Sequence, residues 1–571
     1  MKYFLNLKDI PTIFLILNLL VSTMYMGNAE AGNDYLDALM EIPKIFPDSG
    51  EEVKEDFEEE EKSSVEFSAD MKYLNITLKD SIILALKNNY DIKIAKLGPK
   101  IEGKDITAAK AAFDPFLKIT GKRNVSETPS DNQLVLGGIG GGGVEITEFK
   151  NDSNTLQATL EKPIETGAKF TLDFNLGIRS FLDPAPFRPL NPQSTASIEA
   201  KLTQPLLRNA GIFYNRSEIY IARNDKKKSV LQLKETAIGV VNDAQKAYWE
   251  LVKAIEELRV RNKSLERAKD LLRRNKIQAK VGTLAPIDVV EAEEGVAKQL
   301  EGVVIAENDI KDREDDLKQV MNLSSNSILS DVSIVPLDKA SFEIKNVSLD
   351  ESIKIALGNR PELFEQRLDI ENNKIRVKQR RNELLPKFDF EAGIRYNGLA
   401  GNSENALDSA FSERFQSEFF GVTLEVPMLP YGNREARSNY SKAKLEARQS
   451  VLNINKIEQE VIVEVRKAVR AIKTNVERIK ATEKARELAQ KRLEAEEKKF
   501  EVGRTTSIEV LRAQENLAIS EGKATNAKVD YQTSLGELDA VMGTNLEKSN
   551  IIIEDDGFEV KRDLKQKAKQ P

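Results

Sequence analysis

Apolar residues recur every three or four positions over two long stretches of the chain. The apolar positions of the first stretch are Val241, Ala244, Tyr248, Leu251, Ile255 and Leu258, and those of the second are Ile462, Val465, Val469, Ile472, Val476 and Ile479. Spacings that alternate between three and four are the heptad pattern of helices that pack lengthwise. The pattern therefore predicts long coiled-coil helices in both stretches.

Each long helix is predicted to turn back at a Val-Gly pair. A helix from near Ile221 to Lys280 would be roughly 90 Å long at 1.5 Å per residue, and Pro286 suits the first turn of a returning helix. Glycine is the usual residue where a helix ends in a left-handed conformation. The two predicted hairpin tips are Val281-Gly282 and Val502-Gly503.

Shorter segments between the helices alternate apolar and polar residues. The clearest are 170–179, 198–202, 388–395 and 420–426, and weaker alternation covers 117–122 and 156–161. One apolar and one charged face over about ten residues is what a transmembrane barrel strand requires. A half-buried soluble sheet gives the same alternation, so this pattern alone leaves both possibilities open.

Prolines stand where the predicted helices and strands meet. Proline continues neither a helix nor a sheet ladder, so it suits such a junction. The predicted helix–strand junctions are Pro115, Pro205, Pro386 and Pro427.

The chain repeats one plan twice. Residues 77–89 match residues 348–360 at an offset of 271, whereas the hairpin tips match at an offset of 221. The difference of 50 indicates an insertion in the first copy. We assign residues 75–340 to repeat 1 and residues 341–545 to repeat 2.

Composition excludes most enzymatic chemistry. Among 571 residues there is no cysteine and no histidine, which removes thiol nucleophiles, iron–sulfur sites, histidine acid–base catalysis and nearly all zinc sites. The net charge of −7 gives no indication of nucleic-acid binding. We therefore predict a protein that is not an enzyme, with no catalytic residue, no cofactor and no metal.

The N-terminus has the features of an export signal. Lys2 and Lys8 precede an apolar run, and small residues follow it, so residues 1–31 are predicted to be a signal peptide. A membrane anchor is the alternative, although the run is shorter than the roughly 20 residues that a span needs. Residues 32–74 are predicted to be an acidic, disordered leader, and residues 546–571 a polar tail.

A glycine-rich segment at 137–143 contains the spacing of a nucleotide-binding loop. Neither a buried strand before it nor a helix after it supports that interpretation. We expect a flexible surface loop.

Taken in order, these features resemble the TolC family of outer-membrane efflux channels over residues 75–545. The motifs that carry the resemblance are Leu-x-x-Ser-Ile-x-x-Ala-Leu-x-Asn at 78–88, Gln-Pro-Leu-Leu at 204–207, Tyr-Trp-Glu-Leu at 248–251 and the two Val-Gly tips. The resemblance implies an α+β membrane protein of two tandem repeats. Its antiparallel coiled-coil helices would form a periplasmic tunnel, and trimerisation would complete a β-barrel.

The resemblance implies four core strands per protomer and twelve in the trimer. Repeat 1 departs from this pattern, because 156–161 and 168–179 form an additional candidate hairpin around Gly167. This hairpin would either enlarge the barrel or extend from the cell surface as a cap. We expect the twelve-stranded core.

The resemblance also suggests residues at the tunnel entrance. Asp288 and Glu509 are repeat equivalents, and six such carboxylates in a trimer would favour cations at a constriction. The alternative is that acidic residues simply suit helix N-termini. The family has a second acidic residue where this chain has Arg512, so Arg512 would instead pair with Glu509 and latch the entrance.

Further family positions lie at the two tips. Phe500 matches a family tyrosine of the closing network but has no hydroxyl, and Arg504 is one position from a matching arginine. The resemblance implies that the tips, besides reversing the chain, contact a periplasmic adaptor and loosen when the channel opens.

The predicted function is therefore the outer-membrane channel of a multi-part efflux or secretion system in a Gram-negative bacterium. It would be a passive gated duct. The implied partners are two further copies of the chain, a periplasmic adaptor, an inner-membrane pump and outer-membrane lipid, with no nucleic acid. A soluble periplasmic coiled-coil adaptor or scaffold is the alternative.

Overall fold

The computed structural model describes residues 73–130, 147–181, 189–323, 332–339, 342–412, 414–427, 432–554 and 557–560. All of them belong to the second of two separable units, residues 71–571. The predicted signal peptide, the glycine-rich loop at 137–143 and most of the leader and tail lie outside the described residues. Tyr73 and Leu74, assigned to the leader from the sequence, instead form part of the first strand.

The described elements follow the duplicated plan. In the first part of the chain they are β1 (Tyr73–Ile76), α1 (Leu78–Asn88), α2 (Tyr90–Ala111), β2 (Phe116–Ser130), β3 (Thr147–Pro163), β4 (Lys169–Phe181), β5 (Gln193–Pro205), α3 (Ile212–Asn215), α4 (Ser217–Lys280) and α5 (Pro286–Val320). In the second part they are β6 (Ser333–Pro336), α6 (Leu349–Asn359), α7 (Pro361–Asn382), β7 (Lys387–Ala400), α8 (Ser403–Phe411), β8 (Gln416–Glu425), α9 (Arg434–Glu501), α10 (Ser507–Val541), α11 (Asn545–Lys548), β9 (Ile551–Glu554) and β10 (Gly557–Val560).

The helix bounds repeat at the two offsets found in the sequence. The helices α1 and α2 begin and end 271 residues before α6 and α7, and α5 begins and ends 221 residues before α10. The first helix of the plan begins at a capping box, in which the Thr77 side chain accepts from the Asp80 N–H and Asp80 caps the Thr77 N–H.

The long helices pack lengthwise around a seam of buried residues. The helix α4 has 64 residues, about 96 Å at 1.5 Å per residue, and packs against α5, α10 and α2. Leu233, Val241, Tyr248 and Leu251 are buried along it. None of the described helices contains a run that is both long and apolar enough to cross a membrane.

Six antiparallel strands form one sheet in the order β2-β3-β4-β5-β7-β8. The prediction of four core strands per protomer is therefore wrong for this sheet. The hairpin inserted in repeat 1 is β3–β4, and it lies within the sheet between β2 and β5, which would otherwise be neighbours. Of the two alternatives for this hairpin, the structure has the one in which it joins the sheet. Alternation left the choice open, because it gives the two faces of a strand but not its neighbours.

The pairing register separates an apolar face from a charged face. On the apolar face, Leu160 of β3 pairs with Leu172 of β4, which pairs with Ala200 of β5. On the opposite face, Glu199 pairs with Arg395, and the two side chains form an ion pair. Since side chains alternate along a strand, each face continues across all six strands.

The helix α8 covers the apolar face near one end of the sheet. A Cβ atom at Gly398 would lie 1.9 Å from the Ala406 carbonyl oxygen, so the helix packs directly on the glycine. Ala406 and Ala410 are buried in this contact. Small residues on both sides allow the close approach, and Asn402 caps the helix by accepting from the Asn405 N–H.

Candidate functional site at the hairpin tips

Both hairpins reverse through the same hydrogen-bonded motif. After α4, the Gly282 N–H donates to the Ala279 carbonyl and the Thr283 N–H to the Gln278 carbonyl, at 3.1 and 3.0 Å. After α9, Gly503 donates to the Phe500 carbonyl and Arg504 to the Lys499 carbonyl, at 3.0 and 2.8 Å. These pairs form a Schellman motif, which satisfies the last carbonyls of a helix.

Glycine is required at both reversals by its backbone conformation. The φ angle is 78° at Gly282 and 71° at Gly503, in the region that side chains with a Cβ rarely adopt. The valines beside them point into solvent, with 70% of Val281 and 69% of Val502 exposed. The tips therefore present apolar side chains that the fold of a single chain does not bury.

The two predicted acidic residues lie at equivalent helix starts. Asp288 is in the first turn of α5, which begins at Pro286, and Glu509 is in the first turn of α10. Arg512 Nη1 lies 2.7 Å from Glu509 Oε1, one turn along α10. The predicted Arg512–Glu509 contact is therefore present, and both side chains reach solvent.

A buried asparagine joins the two helix starts. Asn275 of α4 is fully buried, and its side-chain amide donates to the Asp288 carbonyl at 3.1 Å and to the Ser507 hydroxyl at 2.6 Å. Because Asp288 lies in the first turn of α5 and Ser507 begins α10, this one side chain holds the two hairpins of a protomer together near their tips.

A small apolar cluster secures the second tip. Phe500, only 6% exposed, packs with residues of α4, α9 and α10. Its buried partners are Leu271, Leu493, Val510, Ala513 and Leu517. The phenylalanine, predicted as part of a closing network, thus acts by packing, whereas Arg504 is exposed at the tip.

A groove of about 230 Å³ lies between α5 and α10, close to the tips. Its charged lining comes from both helices: Glu291, Glu294, Lys298, Arg512 and Glu515. Lys298 pairs with Glu515 across it at 2.9 Å. Beside the second tip, hydrogen bonding from Lys499 lowers the pKa of Glu496. The surroundings of the tips are thus charged but of mixed sign.

Asn275, Ser507 and Glu291 were not identified from the sequence. A signal for Asn275 exists, because it continues the buried stripe of Leu265, Ala268 and Leu271 and is polar there. A polar residue on a buried stripe requires a partner. The sequence could not name that partner, because Ser507 lies 232 residues away.

The four junction prolines stand at strand ends. Pro115 and Pro386 directly precede β2 and β7, Pro205 is the last residue of β5, and Pro427 lies two residues beyond β8.

A sequence model described as "Outer membrane efflux protein" matches residues 191–323 and 352–544, more than half of the chain. This chain belongs to the outer membrane efflux protein family. The matched residues include both helical hairpins, their tips and the strands β5, β7 and β8.

Two curated relatives are similar over most of their length. The chain is 22% identical to the outer membrane protein TolC of Vibrio cholerae over 358 residues, which cover 62% of this chain and 80% of that protein. It is 21% identical to the outer membrane efflux protein BepC of Brucella suis over 451 residues, covering 78% of this chain and 80% of the relative.

Solved structures share the fold. The Campylobacter jejuni CmeC outer membrane channel superimposes with a TM-score of 0.57 at 16% identity, covering 86% of this chain and 88% of that chain. A crystal structure of CusC superimposes with a TM-score of 0.58 at 14% identity, covering 83% of this chain and 93% of that chain.

Family membership decides between the two functions predicted from the sequence. The chain is an outer-membrane channel component of an efflux or secretion system, with its helical part in the periplasm, and the alternative of a soluble adaptor or scaffold is excluded.

Proposed function

We propose that three copies of this chain form a passive, gated duct across the outer membrane and periplasm. The observation that carries the proposal is the sheet, which has one apolar and one charged face and ends at β2 and β8, two edges that no other described strand pairs. Exposed strand edges cannot be left in lipid, because their N–H and C=O groups would lack partners there. Further copies of the chain would pair these edges.

The long helices support the same assembly. Within the chain, α4 and α10 pack together, while α5 and α9 lie on either side of them. The two outer helices expose large aliphatic residues: Leu300, Val304, Ile305, Leu445, Leu452 and Leu488. Aliphatic side chains exposed along both outer helices offer apolar surface for a protein–protein contact. Neighbouring copies would bury it and close the tunnel wall.

The charged face of the sheet would line a water-filled lumen. Several of its charges are paired with one another, as in Lys387–Glu425 at 3.0 Å and the Arg395–Glu199 pair. A lumen of this kind conducts without chemistry, so an inner-membrane pump would supply the energy. We propose a duct that is not an enzyme.

The tips would form the gated periplasmic entrance. Three copies would bring six carboxylates there from Asp288 and Glu509, where a narrow, low-dielectric wall strengthens their field. Arg512 would offset half of that charge and latch α10 to its own first turn. The exposed Val281 and Val502 would contact the adaptor, and gating would loosen the two reversals.

Single-channel conductance of the detergent-extracted protein in a planar bilayer tests the proposal. Discrete, long-lived steps are expected, with a cation preference that falls in the double variant Asp288→Asn with Glu509→Gln. Glu477→Gln, an exposed site far along α9 from the tip, is the matched control and leaves the preference unchanged. Folded protein that inserts but gives no steps, even after removal of the Arg512–Glu509 pair, contradicts an open duct.

A further inference from the structure

The inserted hairpin β3–β4 changes what each copy contributes to a shared barrel. We propose that the free edge of β2 pairs with the free edge of β8 in the next copy, so that three chains close a barrel of eighteen strands rather than twelve. This inference rests on the trimeric duct proposed above. It adds the pairing partner of each edge and the width of the membrane-spanning part.

The hairpin is continuous with the rest of the sheet in register and in chemistry. Paired residues link β2 to β3, β3 to β4 and β4 to β5 over nearly their whole lengths. Seven apolar residues of the hairpin fall on the apolar face of the sheet: Leu156, Ala158, Leu160, Phe170, Leu172, Phe174 and Leu176. A cap in water on both sides would not need an apolar face.

The turn of the hairpin lies at the helical end of the sheet. The Gly211 N–H, next to α3, donates to the Thr166 carbonyl at 3.0 Å, and the Thr166 hydroxyl donates to the Gln204 side chain at 3.0 Å. Gly167 has a φ of 93° and sits against Asn209, where a Cβ atom would meet its carbonyl oxygen at 2.4 Å. The hairpin therefore runs the length of the sheet, and its turn is held at the end next to the helices. A surface cap would lie at the other end.

Strand direction makes the two edges compatible. The six strands alternate in direction, so β2 and β8 run opposite ways, and an edge of one copy meets the edge of the next as an antiparallel pair. An even number of strands per copy lets any number of copies close without a parallel pair.

The side chains along the edges also match. If the strand ends nearest the helices are aligned, Leu117 lies opposite Leu424 and Arg123 opposite Glu418, which places apolar beside apolar and a cation beside an anion. Phe420, the most exposed large apolar residue of the sheet, then lies opposite Gly121. An aromatic side chain beside a glycine in the neighbouring strand covers the backbone that glycine exposes.

Six strands per copy give a wider exit than four. Barrel diameter grows roughly in proportion to strand number, so eighteen strands would enclose a diameter about 1.5 times that of twelve. The added strands keep the lumen charge balanced, because Lys169 pairs with Glu161 across the hairpin. We infer that the insertion widens the membrane pore and leaves its electrostatic character unchanged.

The absence of cysteine from the sequence makes engineered thiol pairs unambiguous. Three pairs in the full-length protein, oxidised in isolated outer membranes, test the arrangement. Leu172→Cys with Ala200→Cys joins β4 to β5, and Ile119→Cys with Ala200→Cys would join β2 to β5. Ile119→Cys with Val422→Cys joins β2 of one copy to β8 of the next.

We expect the β4–β5 pair to form a disulfide within one chain, and the β2–β8 pair to give covalently linked dimers and trimers on a non-reducing denaturing gel. The β2–β5 pair should remain fully reactive to a maleimide, because two intervening strands separate its members by about 14 Å. Each single-cysteine variant is the control and gives no link between neighbouring strands.

A disulfide in the β2–β5 pair, with the β4–β5 pair still reactive, overturns the eighteen-stranded barrel but leaves the trimeric duct intact. If the β2–β8 pair forms no disulfide between chains and the native protein has the mass of a monomer, the trimer is overturned. This holds whatever the two intrachain pairs show. If the apolar-face variants do not reach the outer membrane, Thr171→Cys and Thr120→Cys, each with Lys201→Cys, repeat the comparison on the charged face.

Discussion

The two helical hairpins end in the same backbone motif but are held in place differently. The position of Phe500 in the second hairpin is occupied by Ala279 in the first, and the position of Arg512 by Glu291. The second tip thus has a phenylalanine in an apolar cluster and an ion pair in its first turn, whereas the first tip has no counterpart of either and contributes Leu284 to the edge of the same cluster. Both repeats keep the same backbone reversal, but only the second has the phenylalanine and the Arg512–Glu509 ion pair.

This inequality suggests how the entrance opens. The first tip is connected to the second hairpin through Asn275 and through Leu284, which packs at the edge of the apolar cluster centred on Phe500 of the second tip. We expect the first hairpin to loosen more readily than the second. Four predictions test this difference and the wider difference between the repeats.

The largest effect is expected from Phe500→Ala. Truncating a buried phenylalanine costs about 3–5 kcal/mol, because apolar burial is lost and a cavity remains. Hydrogen exchange at the α9–α10 reversal should rise accordingly, and the second tip should become as mobile as the first. Val281→Ala, at an exposed position of the other tip, should change exchange by less than about 0.5 kcal/mol. Equal effects of the two substitutions would contradict the proposed difference.

The repeats also differ in a buried carboxyl at their helix–helix contact. Glu365 of α7 is 8% exposed, whereas Ile94, at the equivalent position of α2, is 66% exposed. Burial, with the nearby charge of Glu235, raises the pKa of Glu365 to about 7. Its neighbours include Gln232, whose amide donates to it at 3.4 Å, and the charged Lys228 and Glu362.

Because the pKa of Glu365 is higher in the folded than in the unfolded chain, the folded state binds more protons between about pH 4.5 and pH 7. The contribution of Glu365 to stability should therefore be complete below about pH 4.5 and decrease as the pH rises towards 7. Glu365→Gln should remove this slope and stabilise the protein by about 2 kcal/mol at pH 8, since one pKa unit is worth about 1.4 kcal/mol. Urea unfolding midpoints at pH 5 and pH 8 measure this pH dependence of stability, and the exposed Glu371→Gln is the control. An unchanged slope in Glu365→Gln would assign the pH dependence to other groups.

Much of this fold follows from local sequence signals. Heptad spacing and the two Val-Gly pairs predicted α4 to within a few residues of its observed start at Ser217, and alternation predicted every strand of the large sheet. These features depend on residues near one another in the chain, which a periodic pattern records directly.

Features that depend on distant residues were not predictable in the same way. Alternation assigns Leu160 to a face but does not say that Leu172 and Leu117 are its neighbours, so the place of β3–β4 in the sheet was open. The helix α8 is nine residues long, too short for a clear period. The Asn275–Ser507 hydrogen bond joins residues 232 positions apart, and no local pattern specifies it.

The hydrogen bond between Asn275 and Ser507 connects the hairpins, and substituting one or both residues tests its contribution to stability. Asn275→Ala leaves the buried Ser507 hydroxyl without its donor, which costs about 1–3 kcal/mol. Ser507→Ala should have a similar cost, because one N–H of the buried Asn275 amide then loses its acceptor. The double variant should be less destabilised than the two costs predict together, since neither group is then left alone. Unfolding free energies and single-channel open probability measure the cycle, and strict additivity would show that the hydrogen bond does not couple the hairpins.

The smallest effect on stability, but a clear one on conduction, is expected from Arg512→Glu. This substitution gives the second helix start two acidic side chains one turn apart, matching the pair that Asp288 and Glu291 already form at the first. The ion pair it removes is exposed, so the loss of stability should be below about 0.5 kcal/mol. Selectivity should shift towards cations, because each chain exchanges a positive charge for a negative one close to the entrance. The reversal potential in a potassium chloride gradient measures this shift, with Arg492→Glu, exposed further along α9, as a control of equal charge change. If both variants shift the potential equally, the tip is not the selective constriction.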